Sequence, residues 1–309
     1  MLLVTGASGL LGANLVCTAR DAKREVVGIC RRHPLRISGT QMLEADLTDH
    51  GAVRALIASL RPQIIIHCAA ATSVDWCEDH PEEAELINVS ASSSLAQMAA
   101  ELNARMVYVS TDSVFDGQTS NYSESDEPNP LNVYAKSKLR GEQEVLRHCP
   151  TALIARVNVY GWNAQDKQSL AEWILHQLTA RERVNGFTDV YFSPLLANDL
   201  AEILLAMLDR GLSGIYHTVG SERVSKYEFA RRVAVTFGID PGQVVPARLT
   251  EATLRAPRPL DISLNTEKIR LALGRPMPDV ESGLCRFREL QESGHLQQLR
   301  RSLAGSEPT

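Results

Sequence analysis

The chain has 309 residues, enough to bury a large core in one two-lobed unit or two closely packed domains. Its 44% hydrophobic and 22% charged residues are those of an ordinary globular protein. A net charge of -5 with a pI near 5.9 argues against a partner that is nucleic acid or an anionic membrane. No apolar run approaches a membrane span. The opening Met1-Leu2-Leu3-Val4-Thr5-Gly6 turns glycine-rich too soon for a secretory leader. Cys17, Cys30, Cys68, Cys77, Cys149 and Cys285 are scattered, with no Cys-x-x-Cys pair and no zinc-like spacing. The expectation is a cytoplasmic chain with reduced thiols, no assigned metal, and a homodimer left open.

In chain order, a buried strand at 2–5 leads to a helix at 10–20, a strand at 25–30 and a short strand at Met42-Leu43. A helix at 49–60, a strand at 63–68 and a helix at 81–102 follow. Then come a strand at 105–109, a helix at 132–147 and a strand at 152–156. Strand-helix alternation of this kind implies an α/β fold, a Rossmann-type doubly wound parallel sheet. After Gly161 the expected elements are helices at 165–180 and 198–208, a strand at 214–218, and a helix at 226–237 opened by Ser225. Pro241, Pro246, Pro257 and Pro259 then break regular structure. Residues 1–160 read as a dinucleotide-binding domain joined by parts of 187–220. Residues 161–295 read mainly as a smaller, irregular substrate lobe, and 296–309 as a tail that frays from about Ser293.

Gly6-Ala7-Ser8-Gly9-Leu10-Leu11-Gly12 joins the first strand to the first helix. Gly6 suits a tight turn, Gly9 a close backbone approach to a pyrophosphate, and Gly12 close helix-strand packing. The free N–H groups at that helix end, Leu10 and Leu11 among them, would face phosphate. A tight structural turn is the plain alternative, and position between strand and helix favours phosphate binding. The second strand ends at Cys30-Arg31-Arg32, where two arginines would attract a 2′-phosphate and an acid would hold ribose hydroxyls. NADP(H) is therefore the expected cofactor. Asp46-Leu47 is placed against the adenine, and Ala69-Ala70-Ala71 offers small residues where the backbone runs along the dinucleotide.

Tyr134 and Lys138 stand four residues apart on a predicted helix and so share one face. An ammonium near a phenol favours phenolate and should lower the tyrosine pKa, equipping it for general acid–base work. The strand at 105–109 runs into Ser110-Thr111-Asp112-Ser113, at the carboxyl end where active groups of parallel sheets lie. Thr111 can bond the same oxygen that Tyr134 protonates.

The segments 5–12, 109–117, 130–142 and 258–264 together resemble the extended short-chain dehydrogenase/reductases, most closely the dTDP-4-dehydrorhamnose reductase family. The likeness is strong over about the first 160 residues and thinner to about residue 270. It implies NADPH-dependent reduction of a 4-keto-deoxy nucleotide sugar, with Thr111, Tyr134 and Lys138 as the catalytic set. It also implies that Val157 borders the nicotinamide, and that Thr72, Val74, Asp112, Ser113 and Asn158 border the sugar. Asn88 falls at a family position near the active site. Arg258 is read either as a diphosphate contact or as a strap holding the C-terminal segment. Ser113 and Asn158 depart from the family, which often has aromatic residues in those two places.

Epimerases and 4,6-dehydratases share this fold and its Tyr/Lys pair. Dehydratases carry Thr-Asp-Glu, and Ser113 removes the second carboxylate. A non-catalytic reading is an NADP-binding regulatory subunit resembling the methionine adenosyltransferase beta subunit, against which the retained Thr111, Tyr134 and Lys138 stand.

Overall fold

The computed structural model describes residues 1–31, 35–249 and 254–302. Its first half runs β1 (Leu2–Thr5), α1 (Leu10–Asp21), β2 (Val26–Cys30), β3 (Gln41–Glu44), α2 (His50–Leu60) and β4 (Ile64–His67). Three helices follow, α3 (Val74–Asp79), α4 (Pro81–Glu85) and α5 (Ala91–Glu101), then β5 (Arg105–Thr111), α6 (Val133–His148) and β6 (Leu153–Val157). The second half holds β7 (Val159–Tyr160), α7 (Leu170–Thr179), β8 (Val184–Phe187), β9 (Tyr191–Phe192), β10 (Leu195–Leu196) and α8 (Ala197–Asp209). It continues with β11 (Gly214–His217), β12 (Val224–Ser225), α9 (Lys226–Thr236) and β13 (Val244–Ala247). The last helices are α10 (Glu267–Leu273), α11 (Val280–Glu292) and α12 (His295–Arg301).

Seven strands form one parallel sheet in the order β11-β6-β5-β4-β1-β2-β3. Every residue of β1, β2 and β6 is buried, as a sheet covered on both faces requires. Alternation along β1 divides the core: Leu2 and Val4 join α1, α8 and the second lobe, while Leu3 joins α2, α5 and α6. The connections reverse direction between β1 and β4. The loops after these strands therefore part and leave a crevice at their carboxyl ends.

β11 pairs with β6, and α8 lies on α1 with Arg24 bound to Asp209 at 2.6 Å. The second half of the chain thus completes the dinucleotide-type sheet. The remainder, with three two-stranded sheets and α7, α9, α10, α11 and α12, packs into the same core as α1, α8 and one face of the sheet.

Three expectations need correction. The helix expected at 81–102 is broken by a π-helical turn at Leu86–Ser90, which inserts an extra residue and turns Asn88 inward. The helix expected from 165 begins at Leu170, where Ser169 and Glu172 form a capping box. The segment expected to fray from Ser293 instead forms α12, because Leu296 and Leu299 fall on one buried face and His295 Nε2 meets Asn14 Oδ1 at 2.8 Å. Residues 303–309 lie outside the described residues. Among the described residues, no helix is long and apolar enough to cross a membrane.

Candidate active site

The glycine turn is made by main chain. Gly6 takes φ +66°, and a Cβ there would stand 2.6 Å from Ala69 N. A Cβ at Gly12 would stand 2.1 Å from Gly6 O, so α1 can begin this close to the turn only without a side chain. The first bond into the helix runs from Ala13 N to Gly9 O at 3.0 Å, which leaves the amides of Leu10, Leu11 and Gly12 ahead of the ladder. No side chain caps this end and no acidic residue occupies its first turn. The donors suit an anion, so the turn fits the phosphates of a dinucleotide. Ala69, Ala70 and Ala71 lie half-buried across from it, after β4.

Arg31 stands at the end of β2 with Arg31 Nη1 3.5 Å from Asp46 Oδ2, both side chains 43% exposed. Asp46 is thus a partner of the arginine as well as a neighbour of Leu47, which packs on the second core. Burial raises the Asp46 carboxyl, but hydrogen bonds from Thr48 and the Arg31 charge outweigh it and leave the pKa lowered. Arg32 lies outside the described residues.

Thr111, Tyr134 and Lys138 meet at the carboxyl end of β5. Asn132 caps α6 through Ala135 N at 2.9 Å, and Glu78 Oε2 accepts from Val133 N at 3.1 Å, which fixes the turn carrying Tyr134. The Thr111 hydroxyl stands near the phenol and favours its ionised form, while its own hydrogen bond goes to Asp112 Oδ1 at 3.2 Å. Lys138, one turn on, is 2% exposed, donates to Val109 O at 2.8 Å and lies 4.0 Å over the Tyr108 ring. The helix approaches this closely because Gly141 has no side chain: a Cβ would stand 2.2 Å from Tyr108 Oη.

The electrostatics differ from the expectation that lysine lowers the tyrosine pKa. Burial pushes Tyr134 up to about 12, with the Thr111 bond opposing it, and burial brings Lys138 down to about 7. Desolvation outweighs charge pairing here, and the ammonium bonds a backbone carbonyl instead of the phenol.

Asn88, in the π turn, clasps Ala71 by both polar atoms: Oδ1 accepts from Ala71 N at 2.8 Å and Nδ2 donates to Ala71 O at 3.1 Å. Nδ2 also meets Ser137 Oγ at 2.9 Å, and that hydroxyl bonds Tyr134 O at 2.8 Å. One carboxamide therefore couples the loop after β4 to the helix of Tyr134.

On the facing wall, Asn158 Nδ2 donates to Asp112 Oδ2 at 2.5 Å, and the Thr111 and Ser113 hydroxyls stand 3.2 and 3.3 Å from Asp112 Oδ1. Burial pushes Asp112 up to about 6, with Asn158 and the charge of Lys226 opposing. Thr72 is exposed, and Val74 opens α3 behind the N-cap Ser73. Arg258 is paired with Asp75 at 2.9 Å, which ties the C-terminal segment to α3. Val157 ends β6 and is buried. Sequence reasoning missed Lys226, at the start of α9, and Gln165 and Lys167, which lie in a loop with no recognisable pattern. Among the described residues, no group of three or more His, Cys, Asp or Glu could hold a metal ion.

A family model described as RmlD substrate binding domain matches residues 1–291. The chain belongs to that family. A dTDP-4-dehydrorhamnose reductase from Bacillus anthracis, solved in complex with NADP, superposes with a TM-score of 0.84 at 28% identity, covering 93% of this chain and 98% of that one. A hypothetical dTDP-4-dehydrorhamnose reductase from Sulfolobus tokodaii gives 0.80 at 33% identity, covering 91% and 98%. By sequence, methionine adenosyltransferase 2 subunit beta of Danio rerio is 34% identical over 278 residues, 87% of this chain and 84% of the relative. The probable low-salt glycan biosynthesis reductase Agl14 of Haloferax volcanii is 33% identical over 286 residues, 91% and 95%.

Proposed function

We propose that the protein is an NADPH-dependent reductase of a 4-keto-deoxy nucleotide sugar. The observation that carries this reading is the meeting of Thr111, Tyr134 and Lys138 in a fold whose first turn admits no side chain at Gly6 or Gly12. The NADP complex of the Bacillus relative and the reductase of Haloferax support it. Gly6, Ser8, Gly9, Leu10, Leu11 and Gly12 would hold the pyrophosphate, Arg31 with Arg32 the 2′-phosphate, Asp46 and Leu47 the adenine, and Ala69, Ala70, Ala71 and Val157 the remainder. Bound NADPH supplies the hydride.

The chain's own groups handle the proton. Tyr134, pushed up to about 12, is loaded with its proton at neutral pH and acts as the general acid. Thr111 steadies the developing alkoxide with its hydroxyl. Lys138, near 7, can return a proton to the site at working pH and positions the nicotinamide ribose. Thr72, Val74, Asp112, Ser113, Asn158 and Arg258 line the sugar side. Six free cysteines accord with a reducing, cytoplasmic setting.

The test is NADPH oxidation against a panel of 4-keto nucleotide sugars, followed by single-turnover reduction with Tyr134→Phe. That variant should bind NADPH normally and lose about 10²–10⁴-fold in rate. A rate close to wild type would remove Tyr134 from the mechanism. A second reading, a dinucleotide-binding partner subunit, is favoured by the Danio rerio relative. It expects NADPH binding without turnover of any sugar on the panel, and association with a methionine adenosyltransferase catalytic subunit.

A further inference from the structure

The loop between β7 and α7 is braced from within. Asn163 Nδ2 donates to Lys167 O at 2.6 Å, Gln165 N to Asn163 Oδ1 at 3.1 Å, and Asn163 N to Glu172 Oε1 at 3.0 Å. From this brace two side chains reach opposite banks of the crevice. Gln165 Nε2 donates to Ser8 O at 2.7 Å and to Ser8 Oγ at 3.2 Å, inside the glycine turn. Lys167 Nζ donates to Thr72 Oγ1 at 3.0 Å, just past the alanines that follow β4.

The loop therefore spans the gap between the carboxyl ends of β1 and β4, where the strand order reverses. Two features point to a ligand beneath it. The Gln165 carboxamide fastens the loop to the turn whose leading amides, at Leu10, Leu11 and Gly12, precede the helix ladder and suit an anion. Lys167, exposed, spends its ammonium on a neutral hydroxyl, so its charge is available to a phosphate.

We propose that residues 162–168 are a latch across the dinucleotide crevice, with Gln165 and Lys167 as its two fastenings and the dinucleotide pyrophosphate as the group they close upon. This rests on the NADPH reading above and adds to it a control on release. A latch acts on escape more than on entry, so its loss should appear in the dissociation rate.

The experiment is stopped-flow displacement of NADPH from the full-length protein, comparing wild type, Gln165→Ala and Lys167→Ala. Thermal melting checks that each variant is folded, and the exposed Lys167 leaves at least one variant with an intact fold. Each substitution should speed NADPH release about three- to tenfold, the size of one or two lost hydrogen bonds, with association little changed. The Lys167 effect should shrink as salt rises. NADPH should also protect the bond after Lys167 from trypsin. Release within twofold of wild type in both folded variants would overturn the latch while leaving the cofactor reading intact. A wild-type protein that binds no NADPH would overturn both.

Discussion

The glycine turn and the wall around Asp112, which we propose takes the sugar, are built from different material. The turn is main chain: its shape depends on missing side chains at Gly6 and Gly12, and its donors are amides of the first helical residues. The wall is side chain: Asp112 with Asn158 and Arg258 with Asp75, drawn from segments far apart in the sequence. A surface made of backbone leaves little room for substitution, as a site for the part common to every dinucleotide would require. A surface made of paired side chains can be retuned one residue at a time, which suits the part that distinguishes one sugar from another.

The largest expected effect strikes the turn. Gly12→Val would force a Cβ against Gly6 O, where it has 2.1 Å, and should cost about 3 kcal/mol or more of stability along with NADPH binding. Thermal melting and cofactor titration read both. A variant that melts and binds like wild type would break the contrast at its base.

The wall should respond to pH. Burial raises Asp112 from 3.8 to about 6, so the folded chain holds this proton more tightly than the unfolded chain. Its favourable contribution is present below about 4 and is lost as pH rises through about 6. Relative to Asp112→Asn, wild type should lose about 2–3 kcal/mol across that window, measured by urea unfolding in a pH series. A difference that stays flat from pH 4 to 7 would show that the carboxylate is better solvated than the structure has it.

Arg31→Ala should weaken NADPH about tenfold and leave NADH nearly unchanged, since one charge-assisted contact with a 2′-phosphate is removed. Equal losses for both dinucleotides, read by titration, would move Arg31 out of cofactor selection. The smallest effect is expected at Arg258→Ala. Its pairing with Asp75 is part-exposed, so stability should fall by under about 1 kcal/mol. A fall in affinity for a nucleoside diphosphate sugar, without a matching fall in melting temperature, would assign Arg258 to the ligand as well as to the strap.

Much of this protein could be read from local pattern. Continuous apolar runs marked the strands, Tyr134 and Lys138 announced themselves by helical spacing, and the turn by its glycines, because each signal lies within a dozen residues. The π turn around Asn88 escaped that reading, since its sequence continues a helical periodicity and only packing against Ala71 and Ser137 draws the residue inward. The final helix was also hidden. Leu296 and Leu299 make a weak amphipathic signal alone, and the helix is held by Asn14 across 281 residues of chain.

The charge states diverge for a related reason. Sequence spacing brings the Lys138 ammonium onto the Tyr134 face, but it cannot report how much water each group loses. Burial reverses the expected pKa shift of the phenol and lowers that of the lysine. By itself, then, the sequence determined the parallel α/β order, the tight glycine turn between β1 and α1, and the shared helix face of Tyr134 and Lys138, all of which follow from short-range geometry and backbone sterics. Only the tertiary structure decided the protonation of those groups, the partners of Arg258 and Asp112, and the loop that brings Gln165 to Ser8. Each of these depends on desolvation or on contacts between distant segments, which exist only once the chain has packed.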